Sequence, residues 1–348
     1  MKRLPRDPEK FETVEFFSAL SPTYGYQLNS QESIDNCTAK FKESLIKSSK
    51  EPTILHGKRI ESLFSHVAGA MGETILITNE DRGEIISKNE NIAAPDYRIT
   101  LKNGDQILVE VKNHNSKKIN DEYPLDIAYV NKLEDYAKIN NTPLYFAIYL
   151  RVLRKWTLLN KNDFLESGNK LKISIINAMK RNRMAIIGDK IIATRPIIVE
   201  IIQDPNKKKP IINNKSEFTI GDIKFYCDKR EITDDREKNI AFYLIRFGCW
   251  DCNRPEVNIE SGRFIKSIKY EFKPESMGDL ESSELEIIGW LSEMVTKCFN
   301  EETVYKNNII ALDSKFDPHV FSLNLQDDHK CDALPLGIFY LEPDIEGN

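Results

Sequence analysis

The alternation of apolar and polar positions divides the chain into elements before any residue is given a role. Ile60, Leu63, Phe64, Val67, Ala68 and Met71 recur at the i, i+3, i+4, i+7 spacing of one buried helix face, which predicts a helix opening near Gly57. Short strands are predicted at 75–78 and 84–87, parted by the turn-forming residues 79–83. Asn103-Gly104, a strong hairpin signal, sits between two alternating segments that run from Pro95 to Lys112. Ile127, Val130, Leu133 and Ala137 place a helix over residues 125–139, broken by Asn140-Asn141-Thr142-Pro143. The continuous apolar run 144–150 then reads as a fully buried central strand. Upstream, residues 31–48 read as a helix capped by Ser30 or Ser33, and the first thirty residues as an arm against the body.

Beyond residue 170 the pattern changes. A helix is expected over Lys172 to Arg183, followed by strands at 197–202, 218–226, 240–247 and 264–272. Ser282-Ser283 would then open a long helix through Ile287, Ile288, Leu291, Met294, Val295 and Phe299. The expected fold is therefore α/β: a central mixed sheet flanked by helices over residues 31–190, and a mainly β, α+β domain over 191–348 that recognises or regulates. Residues 1–30 form the arm.

Composition narrows the class. With 41% hydrophobic and 30% charged residues in 348, the chain is an ordinary globular protein, and it holds no apolar run of membrane-spanning length. The N-terminus lacks the apolar core of a signal peptide, and six cysteines in a chain of this length make no disulfide scaffold, so a reducing cytoplasm is expected. The net charge of −5 hides an asymmetry: residues 151–195 hold eleven Lys or Arg against three acids, a local charge of +8. A phosphate backbone responds to such a patch and not to the total.

The chemistry concentrates in the hairpin. Strand side chains repeat with period two, so Leu108, Glu110 and Lys112 share one face while Ile107, Val109 and Val111 share the other. A carboxylate and an ammonium at the end of an apolar strand need each other, a metal or a ligand, because an unpaired buried charge is costly. With Asp96 at the far end of the hairpin, the oxygen donors suit a hard cation such as Mg2+ or Mn2+. Such a cation lowers the pKa of a bound water and offsets charge developing on phosphorus, and an adjacent lysine can hold that water.

Pro95-Asp96, followed by Glu110-Val111-Lys112, resembles the signature of the PD-(D/E)XK nuclease superfamily, whose fold is restriction-endonuclease-like. The resemblance covers residues 31–190 and none of the remainder. It implies a metal-dependent endonuclease acting on DNA, in restriction or phage defence, with Asp96, Glu110 and the Val111 carbonyl on the metal and Lys112 at the water. The helix carrying Gly57 and Glu61 is similar to the first helix of Holliday-junction-resolvase-like members, which implies that Glu61 reaches the metal, with Glu73 the competing candidate. A resolvase or repair nuclease of this type would work on branched DNA as a homodimer; a non-catalytic nucleic-acid-binding or sensor protein could retain the same fold. Arg151, Arg154, Lys155, Lys180, Arg181 and Arg183 would line a DNA groove beside the site.

One expectation concerns register. A two-residue turn at Asn103-Gly104 pairs positions whose numbers sum to 207 and turns Asp96 to the face away from Glu110. Uniting them requires a bulge, a longer loop, or strands that splay before Asp96, and a bulge beside Asp96 is expected. His114, just past Lys112, reads as a surface histidine first and a substrate contact second. In the second half, Cys249-Trp250-Asp251-Cys252 would need a second pair, His329 and Cys331, to hold a structural Zn2+; buried thiols without metal are the favoured reading.

Overall fold

The computed structural model describes residues 1–5, 7–81, 83, 85–275, 284–323, 325 and 333–344. Three helices lead the chain: α1 (Glu12–Tyr24), α2 (Gln31–Ser48) and α3 (Pro52–Met71). Ser30 caps α2 by accepting the Ser33 N–H, Pro52 opens α3, and Gly72 ends it in the left-handed conformation. The expected arm is thus partly helical: α1 lies within it. None of the helices among the described residues is long and apolar enough to cross a membrane.

A five-stranded sheet follows, built from β1 (Thr74–Asn79), β2 (Tyr97–Leu101), β3 (Gln106–His114), β5 (Leu144–Leu150) and β6 (Lys155–Leu159) in the order β1-β2-β3-β5-β6. Between β3 and β5 the chain forms β4 (Glu122–Asp126) and α4 (Ile127–Ile139), the crossover that a parallel β3–β5 pair requires. The other neighbours are antiparallel, so the sheet is mixed, with helices on both faces. Ile107, Val109 and Val111 join Leu63, Phe64 and Val67 of α3 in one core; Leu108, Phe146 and Ile148 join Val130 and Leu133 of α4 in the other. Two strands, β7 (Leu165–Ser167) and β8 (Lys170–Ser174), complete a small side sheet in the order β4-β8-β7 before α5 (Ile175–Lys180).

The hairpin departs from the two-residue turn. Tyr97 pairs with Val109 and Ile99 with Ile107, so partner numbers sum to 206. The Leu101 N–H donates to the Asp105 carbonyl (2.9 Å), the Gly104 N–H donates to the Leu101 carbonyl (3.0 Å), and Gly104 has φ +89°. This is a three-residue loop with glycine at the left-handed position, where a G1 bulge forms. The irregularity that reconciles the two acids therefore lies in the turn, and the β2–β3 ladder beside Asp96 has no register shift.

The second half contains a six-stranded sheet (230–232, 220–227, 197–203, 264–274 and 250–252 in order, with 256–260 also on 264–274) and a three-stranded one (286–290, 191–194, 336–339). Its helices are α6 (Asp235–Phe247) and α7 (Leu291–Thr303). Several local expectations are corrected here. Residues 240–247 belong to helix α6, whose buried Ile240, Ala241, Leu244 and Phe247 keep helical spacing behind the Asp234 cap; the short window concealed that period. Helix α7 starts at Leu291, because 286–290 are a strand; Ser282 and Ser283 lie outside the described residues. Residues 172–183 divide into β8 and α5 at the Ser174 cap, and residues 85–87 are in no strand.

One apolar core runs through both halves. Met294, Val295 and Phe299 of α7 share it with Leu63 and Val67 of α3 and Trp156 of β6. Polar ties reinforce the seam: Trp156 donates to Thr296 Oγ1 (3.0 Å), and the fully buried Asp189 carboxylate accepts from the Ser292 N–H (2.9 Å) and hydroxyl (2.6 Å). Gly104→Val should destabilise the chain by about 1–2 kcal/mol, since a β-branched residue resists the left-handed region. Urea unfolding followed by circular dichroism measures this, and an unchanged midpoint would contradict the loop assignment.

Candidate active site

Asp96 is placed by the point at which β2 begins. The β2–β3 ladder ends at the Tyr97–Val109 pair, while β3 continues to His114. Along β3, Leu108 and His114 turn their backbone groups toward β5, so Val111 presents its N–H and carbonyl on the β2 side, beyond the end of the ladder. Asp96 Oδ2 accepts that N–H at 2.7 Å. Extending the register sets Asp96 opposite Glu110, on one face of the sheet. The approach to Asp96 is clamped from the side: its carbonyl accepts the Glu80 N–H (2.9 Å), and the Glu80 carboxylate accepts from Arg98 (2.5 Å) and Tyr136 (2.6 Å).

Glu110 is 2% exposed. Its Oε1 accepts from the Lys112 ammonium and from the Tyr129 hydroxyl (2.7 Å), and the Lys112 Nζ lies 5.1 Å from the centre of the Tyr129 ring. Burial, then the charge of Glu110, pushes the Asp96 carboxyl up to about 7; Glu61 adds to this, while the Val111 N–H and Lys112 pull the other way. Asp96, Glu110, Lys112 and Val111 are therefore brought together: Asp96 is held by the Val111 N–H, and Glu110 beside it by the Lys112 ammonium.

Glu61 stands at the edge of this group. Its carboxylate pairs with Lys58 (2.6 Å), and its backbone carbonyl accepts the Tyr97 hydroxyl (3.1 Å). Glu73 pairs with Lys102 (3.1 Å) by the hairpin loop, at the other end of β2 from Asp96. No three His, Cys, Asp or Glu side chains among the described residues form a group that could hold a metal ion. A cation here would rest on the carboxylates of Asp96 and Glu110 and the Val111 carbonyl, an all-oxygen set that fits Mg2+ or Mn2+. Burial first, and the Glu110 charge second, raise the proton affinity of Asp96, and a cation held there would oppose the second of these.

His114 is buried, not a surface residue: its ring meets Tyr123 edge-on at 5.2 Å, and its Nδ1 has no hydrogen-bond partner. Burial lowers its pKa, against a smaller opposite pull from Asp121. Of the basic residues, Arg151 is exposed and donates to Asn115 beside the end of β3, and Arg154 and Lys180 are exposed. Lys155 is committed to Glu293 of α7, and Arg183 to Asp163 (2.5 and 3.1 Å), with Arg181 4.0 Å from the same carboxylate. Cys249 is half-buried and receives the Lys297 ammonium at 3.4 Å, and Cys252 is exposed. His329 and Cys331 lie outside the described residues, so no zinc set is described. The residue that sequence reasoning missed is Tyr129; its one sign is Asp126, whose carboxylate caps α4 at the Tyr129 N–H (3.1 Å) and marks the helix start.

No family model and no curated relative matches the chain. Among solved structures, Hjc, a Holliday junction resolvase from the archaeal hyperthermophile Archaeoglobus fulgidus, is similar over 34% of this chain and 85% of its own, at 19% identity and a TM-score of 0.24. A superposition that loose positions no residue.

The raised Asp96 pKa has a definite sign for stability. A carboxyl that holds its proton more tightly folded than unfolded stabilises the fold least where it is ionised, so its contribution falls as pH rises from about 4 through 7. With a chelator present, Asp96→Asn should raise the melting temperature by a few degrees at pH 8 and leave it unchanged at pH 4. Mg2+ at pH 8 should stabilise the wild type and not the variant; differential scanning calorimetry reads both.

Proposed function

We propose that the chain is a metal-dependent phosphodiesterase of the PD-(D/E)XK type that cuts DNA. The observation that carries this reading is the convergence, at the open end of the β2–β3 ladder, of Asp96 opposite a buried Glu110 with Lys112 bonded to it. A bound divalent cation would supply an acidified water and an offset for charge on phosphorus. Asp96 and Glu110 would hold it with the Val111 carbonyl. Lys112, poised on Glu110, would orient the attacking water and offer its ammonium to the phosphate oxygens as their charge grows. Glu61 would orient water at the edge of the site if it left Lys58. DNA as substrate follows from the sequence resemblance and from the basic stretch over 151–195, in which Arg151, Arg154 and Lys180 are exposed. A role in restriction or phage defence follows from that resemblance alone, and activity on four-way junctions in place of linear duplex would reassign the enzyme to branched DNA.

A second reading has its own observation. Glu110 is occupied by Lys112 and Tyr129, and the described residues hold no three-sided metal group, an arrangement that a non-catalytic DNA-binding protein would also tolerate. Nicking of supercoiled plasmid decides between them. We expect nicking with Mg2+, none with a chelator, and a loss of about 100-fold or more in Lys112→Ala and Glu110→Ala while DNA binding persists. Nicking that survives both substitutions would reject the proposal; binding without nicking in the wild type would favour the second reading.

A further inference from the structure

Resting on the phosphodiesterase reading, we infer that Tyr129 is a positioning residue of the site, holding Glu110 by its hydroxyl and Lys112 by its ring face. Neither contact belongs to the sequence signature, because Tyr129 comes from α4, across from the strand that carries the acid and the lysine. The hydroxyl donates to Glu110 Oε1 at 2.7 Å, the same oxygen that accepts from Lys112. Both donors on one oxygen set the rotation of the carboxylate and leave Oε2 as the oxygen to offer a cation. The Lys112 ammonium, 5.1 Å from the ring centre, is also held by the electron-rich aromatic face. One side chain therefore sets the direction of both groups whose geometry the chemistry needs.

A structural role explains less. Tyr129 is 36% exposed and belongs to neither apolar core. Its hydroxyl nevertheless points inward to a glutamate that is 2% exposed. A phenol suits the task because it donates without adding charge. Asp126 secures the start of α4 by accepting the Tyr129 N–H at 3.1 Å, which ties the donor to a helix end and not to a mobile loop.

The test compares the full-length wild type with Tyr129→Phe, which removes one hydroxyl and keeps the ring, and with Tyr129→Leu, which removes both contacts. Mn2+ binding is measured by titration calorimetry, the fold by circular dichroism and metal-free melting, and plasmid nicking by kcat and KM. Groups that orient metal ligands are typically worth about 10–100-fold in metal affinity or activity. We expect Tyr129→Phe to weaken Mn2+ binding by that range with an unchanged metal-free melting temperature, and to lower kcat while KM for DNA stays constant. Tyr129→Leu should lower kcat further by freeing Lys112. Wild-type Mn2+ affinity and kcat in a folded Tyr129→Phe would overturn the role of Tyr129 and leave the phosphodiesterase reading standing. A wild type that neither binds Mn2+ nor nicks DNA would overturn both. If either variant loses metal-free stability in step with its activity, the role is structural and the inference is wrong.

Discussion

Two carboxylates, Asp96 and Glu110, are held side by side at the end of an apolar sheet with a single ammonium, on Glu110, beside them, and the surrounding contacts make that tolerable. Taking one ionised carboxylate out of water is expensive, and a second beside it multiplies the cost unless donors or cations compensate. Each compensation is visible. The Val111 N–H, released because β2 stops one residue short, serves Asp96; Lys112 and Tyr129 serve Glu110. What remains uncompensated raises the proton affinity of Asp96. Glu80, Arg98 and Tyr136 prevent the simplest relief, in which the chain at Asp96 swings away from the sheet.

That local cost is borne by a core larger than the half that carries the two acids. Helix α3 packs its apolar face on the sheet and also against α7, so the site's supporting helix is shared between the two halves. The polar ties follow the same seam. Asp189 is fully buried and its carboxyl is raised to about 6 by that burial, yet the Ser292 N–H and hydroxyl satisfy it. Lys155, which the sequence places in a nucleic-acid groove, instead reaches Glu293 on α7 and rests against the Trp290 ring. A change in how the second half packs would therefore reach β6 and α3 directly, through contacts already made.

Period and punctuation made the first half legible. The buried strand at 144–150, the helix face from Ile60 to Met71 and the Glu110/Lys112 strand face are all local properties, and local properties are what a sequence displays. Register was legible only to within one residue. Asn103-Gly104 suggested two loop residues, whereas the Leu101–Asp105 closure uses three, and with a side-chain period of two that single residue decides whether Asp96 faces Glu110. Residues 240–247 misread because eight positions are too few to separate a helix from a strand when both are largely apolar. Side-chain partners were not legible at all: nothing near Arg183 reveals that Asp163 claims it, nor near Tyr129 that a buried glutamate waits on the strand beneath it.

The charge balance at the site connects these features to the proposed chemistry. With Asp96 ionised, as it is above its raised pKa of about 7, Asp96 and Glu110 against Lys112 leave one negative charge, and Glu61, paired to Lys58, adds none in its present position. A site of that sign repels a phosphate, so metal-free protein would hold DNA only through outlying cations such as Arg151 and Arg154. Two added positive charges would reverse the sign and turn the same pocket into an anion receptor, with Lys112 already placed to share the load. Affinity for the backbone and competence at the scissile phosphate would then be separate quantities, one set by the exposed basic residues and the other by the carboxylate pair. The buried pair is costly to the fold for the same reason that it would be useful to a nuclease: it concentrates negative charge at the place where a divalent cation would bind.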